Sequence, residues 1–293
     1  MTVIMRGKEV ATRLREEVIE EVKSLRADGV KPTAAIVRVG DLSDSVGYER
    51  SAVKVLKKAE LEVETFYFPE ETTENQFLSE FEKINSNKDI HGILLLRPLP
   101  DHIDIEKVKM IIDPAKDIDG MSPFNIGKVL EPHENDFVPC TPAAVMETLK
   151  HYGIELQGKD VAVVGHSLVV GRPLSMLLAS QDATISLCHI HTKDMKGICQ
   201  NADIIVTATG AVGLITGEHV KEGAVVIDVG TTYDENGKLH GDVRFDEVEG
   251  KASHLTPVPG GIGAVTTTIL AKRVVIAARQ QMAGKEGLFA EVR

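Results

Sequence analysis

Short apolar runs alternate with helix-length runs along this chain, and the alternation occurs in two series. In the first, Val10, Leu14, Val18 and Val22 recur at four-residue spacing with charges between them, which predicts an amphipathic helix over 8–28. Ala34–Val39 reads as a strand, 45–59 as a helix and Leu61–Phe68 as a strand. Residues 74–86 form a helix with Phe77, Leu78, Phe81 and Ile84 on one side, followed by the strand His91–Leu96, the turn Arg97-Pro98-Leu99-Pro100 and a helix at 104–112. Strands alternating with helices imply βαβ units and a mainly parallel sheet.

Residues 113–141 break the rhythm with Pro, Asn, Asp and Gly, as a functional segment or a linker does. A second series follows, with strands at Val161–Val164, Ala183–Leu187, Asp203–Thr207 and Ala224–Val229 and a helix at 171–180. The last helix, about 265–282, is apolar on several sides (Ile269, Leu270, Val274, Val275, Ile276), which suits a groove better than a surface. The expected class is α/β with two domains, each a mainly parallel sheet with flanking helices. The expected split is 1–141 plus 265–293 against 142–264.

Composition removes several functions. Apolar residues make up 43% of the chain, enough to exclude a disordered one. With 33 basic and 44 acidic side chains the net charge is −11, which argues against nucleic acid and anionic membrane as partners. No apolar run reaches the ~18 residues that a membrane span needs. Three cysteines, Cys140, Cys188 and Cys199, with no C-x-x-C, do not make a disulfide framework and suit a reducing cytoplasm.

The segment VAVVGHSLVVGRP (161–173) reads as strand, tight turn and helix start. Gly165 leaves φ unrestricted, Gly171 lets backbone approach closely, and the amides of a helix N-terminus attract a pyrophosphate. The G-x5-G spacing misses the common dinucleotide fingerprint, so a ligand-free βα turn is the competing reading. Two further strands end in small residues, at 208–210 (ATG) and at Val229-Gly230, and ligand crevices lie outside such carboxyl ends. The second domain is therefore expected to be Rossmann-like.

The chain resembles the methylenetetrahydrofolate dehydrogenase/methenyltetrahydrofolate cyclohydrolase family from about residue 5 to 282. The matching segments are SVGY (45–48), HGILLLRPLP (91–100), KDIDG (116–120), PCTP (139–142), GHSLVVGRP (165–173), DVG (228–230) and TPVPGGIG (256–263). The resemblance implies a cytoplasmic homodimer that oxidises 5,10-methylenetetrahydrofolate with NADP, NAD being the rival cofactor. Most members then hydrolyse the methenyl product to 10-formyltetrahydrofolate. It implies Tyr48 and Asp119 as catalytic residues. It implies substrate contacts at Ser45, Tyr48, Leu96, Pro98, Leu99, Asp119, Pro257, Val258, Pro259, Gly260 and Gly261. Cofactor contacts fall at Thr141, Gly165, His166, Ser167, Val170, Gly171, Arg172, Ile190, His191, Thr207, Ala208, Thr209, Gly230, Thr231 and Thr232.

Two departures from the family pattern bear on the reaction. The family's S-x-x-Y-x-x-x-K helix is matched at Ser45 and Tyr48, but the lysine position is Ala52. The family's glutamine before L-P-L-P, which orients that lysine, is Leu96, and Arg97 follows it. Alternate residues of a strand point to opposite faces, so Arg97 need not fill that vacancy. Water attack on a methenyl carbon needs acid–base help, whereas hydride transfer needs mainly alignment. The expectation is a retained dehydrogenase with weak or absent cyclohydrolase. The alternatives are a fully bifunctional enzyme and a non-catalytic ligand-binding homologue. On the nucleotide side many relatives carry arginine where this chain has His166. His189, His191, Lys193 and Arg172 are the nearby replacements, and no acidic or Cys set accompanies the histidines at a metal-ligand spacing, so no metal is expected.

Overall fold

The computed structural model describes residues 1–290. In chain order the elements are β1 (Val3–Ile4), α1 (Gly7–Ala27), β2 (Thr33–Val39), α2 (Ser43–Lys58), β3 (Glu62–Phe68), α3 (Glu74–Ser86), β4 (Gly92–Leu95), α4 (Ile105–Ile111) and α5 (Pro123–Gly127). Then come α6 (Cys140–His151), β5 (Asp160–Val164), α7 (Gly171–Ala179), β6 (Thr184–Cys188), α8 (Met195–Asn201), β7 (Ile204–Thr207) and β8 (Val225–Asp228). The series closes with β9 (Thr232–Tyr233), β10 (Leu239–His240), α9 (Phe245–Val248), β11 (His254–Leu255) and α10 (Ile262–Ala290). The chain divides into two compact units.

The three-stranded unit holds Arg13–Lys128, His133–Cys140 and the chain from Thr267 onward. Its sheet runs β3-β2-β4, all parallel, with Ala35 opposite both Glu64 and Ile93. Helix α3 starts where Thr73 and Gln76 exchange hydrogen bonds in a capping box, each satisfying a backbone N–H that the helix leaves open. Its Phe77, Phe81 and Ile84 are buried against Ala35, Val37, Ile93 and Leu95. Burying each aromatic ring stabilises by roughly 2–3 kcal/mol. The last helix belongs to this unit from Thr267. Its Ile269, Leu270, Val274 and Val275 are buried, the packing its all-round apolar sequence predicts.

The six-stranded unit holds Met1–Thr12, Val129–Pro132 and Thr141–Thr266. Its order, β1-β11-β8-β7-β5-β6, is parallel at every pairing. The series β6-β5-β7-β8-β11 is a doubly wound arrangement with its switch of direction between β5 and β7. This is the expected Rossmann-like architecture.

The units differ from the sequence split at the start of the chain and at Val129–Pro132, which also lie with the six-stranded unit. Met1–Thr12 lie with the six-stranded unit rather than with the residues that follow them. The cause is backbone pairing: Val3 and Ile4 pair with His254 and Leu255, a two-residue strand too short to carry a sequence pattern. Among the described residues no helix is long and apolar enough to cross a membrane.

Candidate active site

In the three-stranded unit the site grows out of the KDIDG segment, where four of the five residues have structural tasks. Lys116 is buried, and its Nζ donates to the carbonyls of Asn85 (2.7 Å) and Asn87 (2.6 Å). Desolvation holds its pKa below the usual lysine value. Asp117 is fully buried and accepts from the amides of Met121 (3.1 Å) and Ser122 (2.8 Å) and from Asn125 Nδ2 (3.0 Å). Ile118 packs over Gly92, where a Cβ would lie 2.6 Å from its Cγ2. Gly120 has φ +69, and a Cβ there would meet the Phe137 carbonyl at 2.4 Å. Asp119 is the one residue of the five without such a task, and it pairs with Arg97. The turn-forming carboxylate of this segment is Asp117.

Residues 116–118 also extend the sheet. Asp117 bridges in parallel to Ile93, and the Ile93 amide donates to Lys116 O at 2.6 Å. The residues that follow β4 and the bridge therefore emerge at one end of the sheet. Arg97 Nη2 reaches Asp119 Oδ2 at 2.8 Å, with the pair about a quarter exposed (34% and 21%). Strand alternation does not govern Arg97, because β4 ends at Leu95. The sequence signal was available: a basic residue sits directly before Pro98-Leu99-Pro100, beyond the strand.

Tyr48 joins this cluster from α2, whose first turns are tied to β2 by an Arg38–Glu49 ion pair at 2.5 Å. The residue is 38% exposed, yet burial of its hydroxyl, then the Asp119 carboxylate and Cys140, push its pKa up, while Arg97 opposes them. The phenol thus stays protonated and can donate. Ser45 is buried one turn earlier. Ala52, one turn on along the same face, is 1% exposed, and Leu96 is 4% exposed, so both positions present apolar atoms. Pro98 follows a cis peptide bond and is exposed, and Leu99 is half-buried against the core of this unit. Cys140 is buried with its thiol pushed up by desolvation. It donates to Ile118 O at 3.2 Å and accepts from Arg273 Nη1 at 2.9 Å. Arg273, buried in α10, also donates to the Ile118 and Val138 carbonyls, tying the residue before Asp119 to the segment before Cys140.

In the six-stranded unit the turn after β5 lies at the switch between β5 and β7, where open α/β sheets bind ligands. Gly165 has φ +110, and a Cβ there would sit 2.3 Å from Ala208 O. A Cβ on Gly171 would sit 1.7 Å from Gly165 O. The first turn of α7 is thus drawn against the loop, where Arg172 N donates to Ser167 O (3.1 Å) and Val170 N to Ser167 Oγ (3.1 Å), beside exposed His166, Ser167 and Arg172. Val170 flanks α7 as its N-cap. Ile190 is 91% exposed and His191 is exposed, both just beyond β6. This backbone cradle fits a dinucleotide.

Other expected cofactor residues have tasks of their own. Thr207 Oγ1 (2.9 Å), Thr209 N (2.6 Å) and Thr209 Oγ1 (2.8 Å) all donate to Asp242 Oδ2, which leaves Ala208 as a backbone position. Asp242 was not foreseen. Gly230 approaches it so closely that a Cβ would lie 2.2 Å from Oδ1. Thr231 is exposed, and Thr232 Oγ1 donates to Gly210 O at 3.1 Å. Thr141 lies in the first turn of α6. Asp228 accepts from the amides of Gly230 (2.9 Å), Asp242 (3.1 Å) and Val243 (2.9 Å), yet burial raises its pKa to about 6. The Pro257-Val258-Pro259-Gly260-Gly261 loop lies in the same unit, with a cis peptide before Pro259. The Gly7 amide donates to Gly260 O at 2.9 Å, so the start of α1 closes on this loop. Among the described residues no group of three or more His, Cys, Asp or Glu is placed to hold a metal ion.

The family model of the tetrahydrofolate dehydrogenase/cyclohydrolase catalytic domain matches residues 5–119, and that of the same family's NAD(P)-binding domain matches 139–282. The chain belongs to the tetrahydrofolate dehydrogenase/cyclohydrolase family. It is 48% identical to the bifunctional protein FolD of Alkaliphilus metalliredigens, over 95% of this chain and 98% of that one. The crystal structure of the bifunctional FolD of Campylobacter jejuni superposes with a TM-score of 0.93 at 38% identity, covering 96% and 99% of the two chains. The Trypanosoma brucei enzyme, solved with NADP and an inhibitor, gives a TM-score of 0.90 at 36% identity, covering 96% and 98%. The family resemblance read from the sequence motifs agrees with all of these matches.

Proposed function

We propose that this chain oxidises 5,10-methylenetetrahydrofolate to 5,10-methenyltetrahydrofolate by hydride transfer to a nicotinamide nucleotide, as a step of one-carbon metabolism, with weak or absent cyclohydrolase activity. The observation that carries the reading is the cluster of Tyr48, Arg97 and Asp119 beside two apolar positions, Ala52 and Leu96.

Asp119 accepts hydrogen bonds from the amino-pyrimidinone edge of the folate. A carboxylate offers about four lone-pair sites, so the Arg97 contact on Oδ2 leaves capacity for two more donors. Arg97 holds the carboxylate in one orientation. Tyr48, kept neutral, packs against or donates to the substrate. The substrate residues Ser45, Leu96, Pro98 and Leu99 belong to the same unit, and Pro257–Gly261 lie in the six-stranded unit. The nicotinamide, when bound, accepts the hydride. The turn at Gly165–Gly171 holds its pyrophosphate through main-chain amides, with NADP as the family default and NAD as the rival. Alignment of donor and acceptor is the main demand of this step, and it needs no base.

Methenyl hydrolysis makes a different demand, because the attacking water must lose a proton. Ala52 and Leu96 offer no acid or base. Tyr48, with its raised pKa, is a poor base at neutral pH, and a guanidinium such as Arg97 does not deprotonate. The bifunctional reading has its support in the names that relatives carry, the Alkaliphilus protein at 48% identity and the Campylobacter structure at 38% among them. A cytoplasmic homodimer is the assembly proposed, and the buried free thiols of Cys140, Cys188 and Cys199 suit a reducing compartment.

A paired assay on one preparation tests the proposal. Cofactor reduction should follow addition of methylenetetrahydrofolate, while methenyl absorbance should decay no faster than without enzyme. Enzyme-dependent decay as fast as cofactor reduction would replace this reading with the bifunctional one. No reduction of either nicotinamide nucleotide would leave the ligand-binding homologue.

A further inference from the structure

Arg97 and Asp119 leave the backbone at points that are already fixed. Leu96 N donates to Val37 O at 2.9 Å, so the residue before Arg97 is still tied to the sheet. Ile118 O, just before Asp119, accepts from Arg273 Nη1 (2.8 Å) and from the Cys140 thiol (3.2 Å). Gly120 N, just after it, donates to Asp117 O at 3.1 Å. The ion pair between the two side chains is 34% and 21% exposed, and an exposed pair contributes little to stability. Its fixed geometry therefore asks for another explanation.

The pair is only partly engaged. Arg97 meets Asp119 Oδ2 through Nη2 alone, and among the described residues its guanidinium makes no other hydrogen bond. Beside Arg97, the Cys140 thiol is the neighbour close enough to bond to the Asp119 carboxylate. A guanidinium carries five N–H donors and a carboxylate about four acceptor sites, so donors and acceptors both remain free.

Side by side, the two groups present a row in a fixed order: a guanidinium N–H, then two carboxylate oxygens. The amino-pyrimidinone edge of a folate has the complementary order. Its C4 carbonyl accepts, and its N3–H and 2-amino group donate. The protein row is the one that cytosine offers to guanine, built here from two side chains.

We infer that Arg97 is a specificity-determining residue of this site, donating to the C4 carbonyl while Asp119 accepts from N3–H and the 2-amino group, so that the site selects 4-oxo over 4-amino pteridines. The inference rests on the methylenetetrahydrofolate reading and adds which side chain reads which part of the ring. A 4-amino ring turns the C4 acceptor into a donor and N3 into an acceptor. Donor then faces donor at Arg97 and lone pair faces lone pair at Asp119, so the wrong ring is repelled as well as unpaired.

The test is anaerobic calorimetric titration of the full-length protein with tetrahydrofolate and with 4-amino-4-deoxytetrahydrofolate, which needs neither cofactor nor turnover. Water-sealed sites reject an analogue lacking the bonded group by about 10⁴-fold or more, and for this partly exposed pair a preference of about 30-fold for tetrahydrofolate is expected. Arg97→Leu should weaken tetrahydrofolate about tenfold without weakening the 4-amino compound, and Arg97→Lys, which keeps a donor, should retain part of the preference. Position 97 is exposed, and an unchanged melting temperature checks the fold. If Arg97→Leu weakens both pteridines alike, Arg97 only orients Asp119 and the inference is overturned. An unchanged preference in Arg97→Leu overturns it too. Guanosine carries the same edge, and guanosine bound as tightly as tetrahydrofolate would assign the pair to a purine instead. Failure of the folate reading itself looks different: neither pteridine would bind, and the inference would fall with it.

Discussion

The nucleotide turn of the six-stranded unit is made of main chain: two glycines, a helix N-terminus and carbonyl oxygens packed where no Cβ fits. The folate-side cluster of the three-stranded unit is made of side chains: Tyr48, Arg97 and Asp119, with Ala52 and Leu96 beside them. A backbone site tolerates any side chain that leaves its glycines alone. A side-chain site changes chemistry with each substitution.

Substitutions can separate the two halves. The largest effect is expected at Gly171, where a Cβ would lie 1.7 Å from Gly165 O and only backbone movement can relieve the overlap. Gly171→Ala should cost about 3 kcal/mol, read from the urea midpoint, and abolish NADPH binding. Retained NADPH affinity would mean that the turn is not the backbone cradle described above.

The next effect runs the other way. Installing a lysine and a glutamine together, Ala52→Lys and Leu96→Gln, should raise methenyl hydrolysis on the order of 10²-fold, the usual contribution of a positioned acid–base group. Both positions are buried, so circular dichroism must first show a folded protein. A folded double variant with no gain would place the limit on hydrolysis elsewhere.

A somewhat smaller loss is expected from Asp119→Asn. It removes a charged acceptor and its ion pair with Arg97, and kcat/KM for the folate should fall about 30-fold, with NADPH affinity unchanged by calorimetry. A fall in NADPH affinity would dissolve the division between the halves.

The smallest effect is a pH dependence carried by Asp228. Its folded pKa is raised to about 6, first by burial, so the native state keeps this proton when the unfolded chain has lost it. The stabilisation is full below the ordinary carboxylate range and disappears as pH rises through about 6. Between about pH 5 and about pH 7 the wild type should lose about 1 kcal/mol relative to Asp228→Asn. Parallel urea-midpoint curves for the two proteins would refute the shift.

Periodicity carried most of the fold because long elements repeat their burial pattern. The helices 7–27 and 74–86 and the strands of four or more residues in the two larger sheets were legible for that reason. The two-residue strands β1, β9, β10 and β11 were not, since two residues hold no period. The candidate site was legible where one residue type has one use, as at Gly165 and Gly171. It was illegible where partners are set by register. Nothing local says that Asp117 makes the turn while Asp119 faces Arg97. That division follows from Asp117 bridging to Ile93, a pairing between segments distant in sequence.

The pairing of β1 with β11 also sets an order of events during synthesis. Thr2 bonds to Ala252 across 250 residues, and Gly7 waits for Gly260. At roughly 5–20 residues per second, the first dozen residues spend tens of seconds outside the ribosome before their partners exist. Throughout that interval the β11 side of the six-stranded sheet lacks its final strand. The stretch translated just before α10 is therefore what captures residues 2–7, and the nucleotide-binding unit completes only after Gly260 has been made.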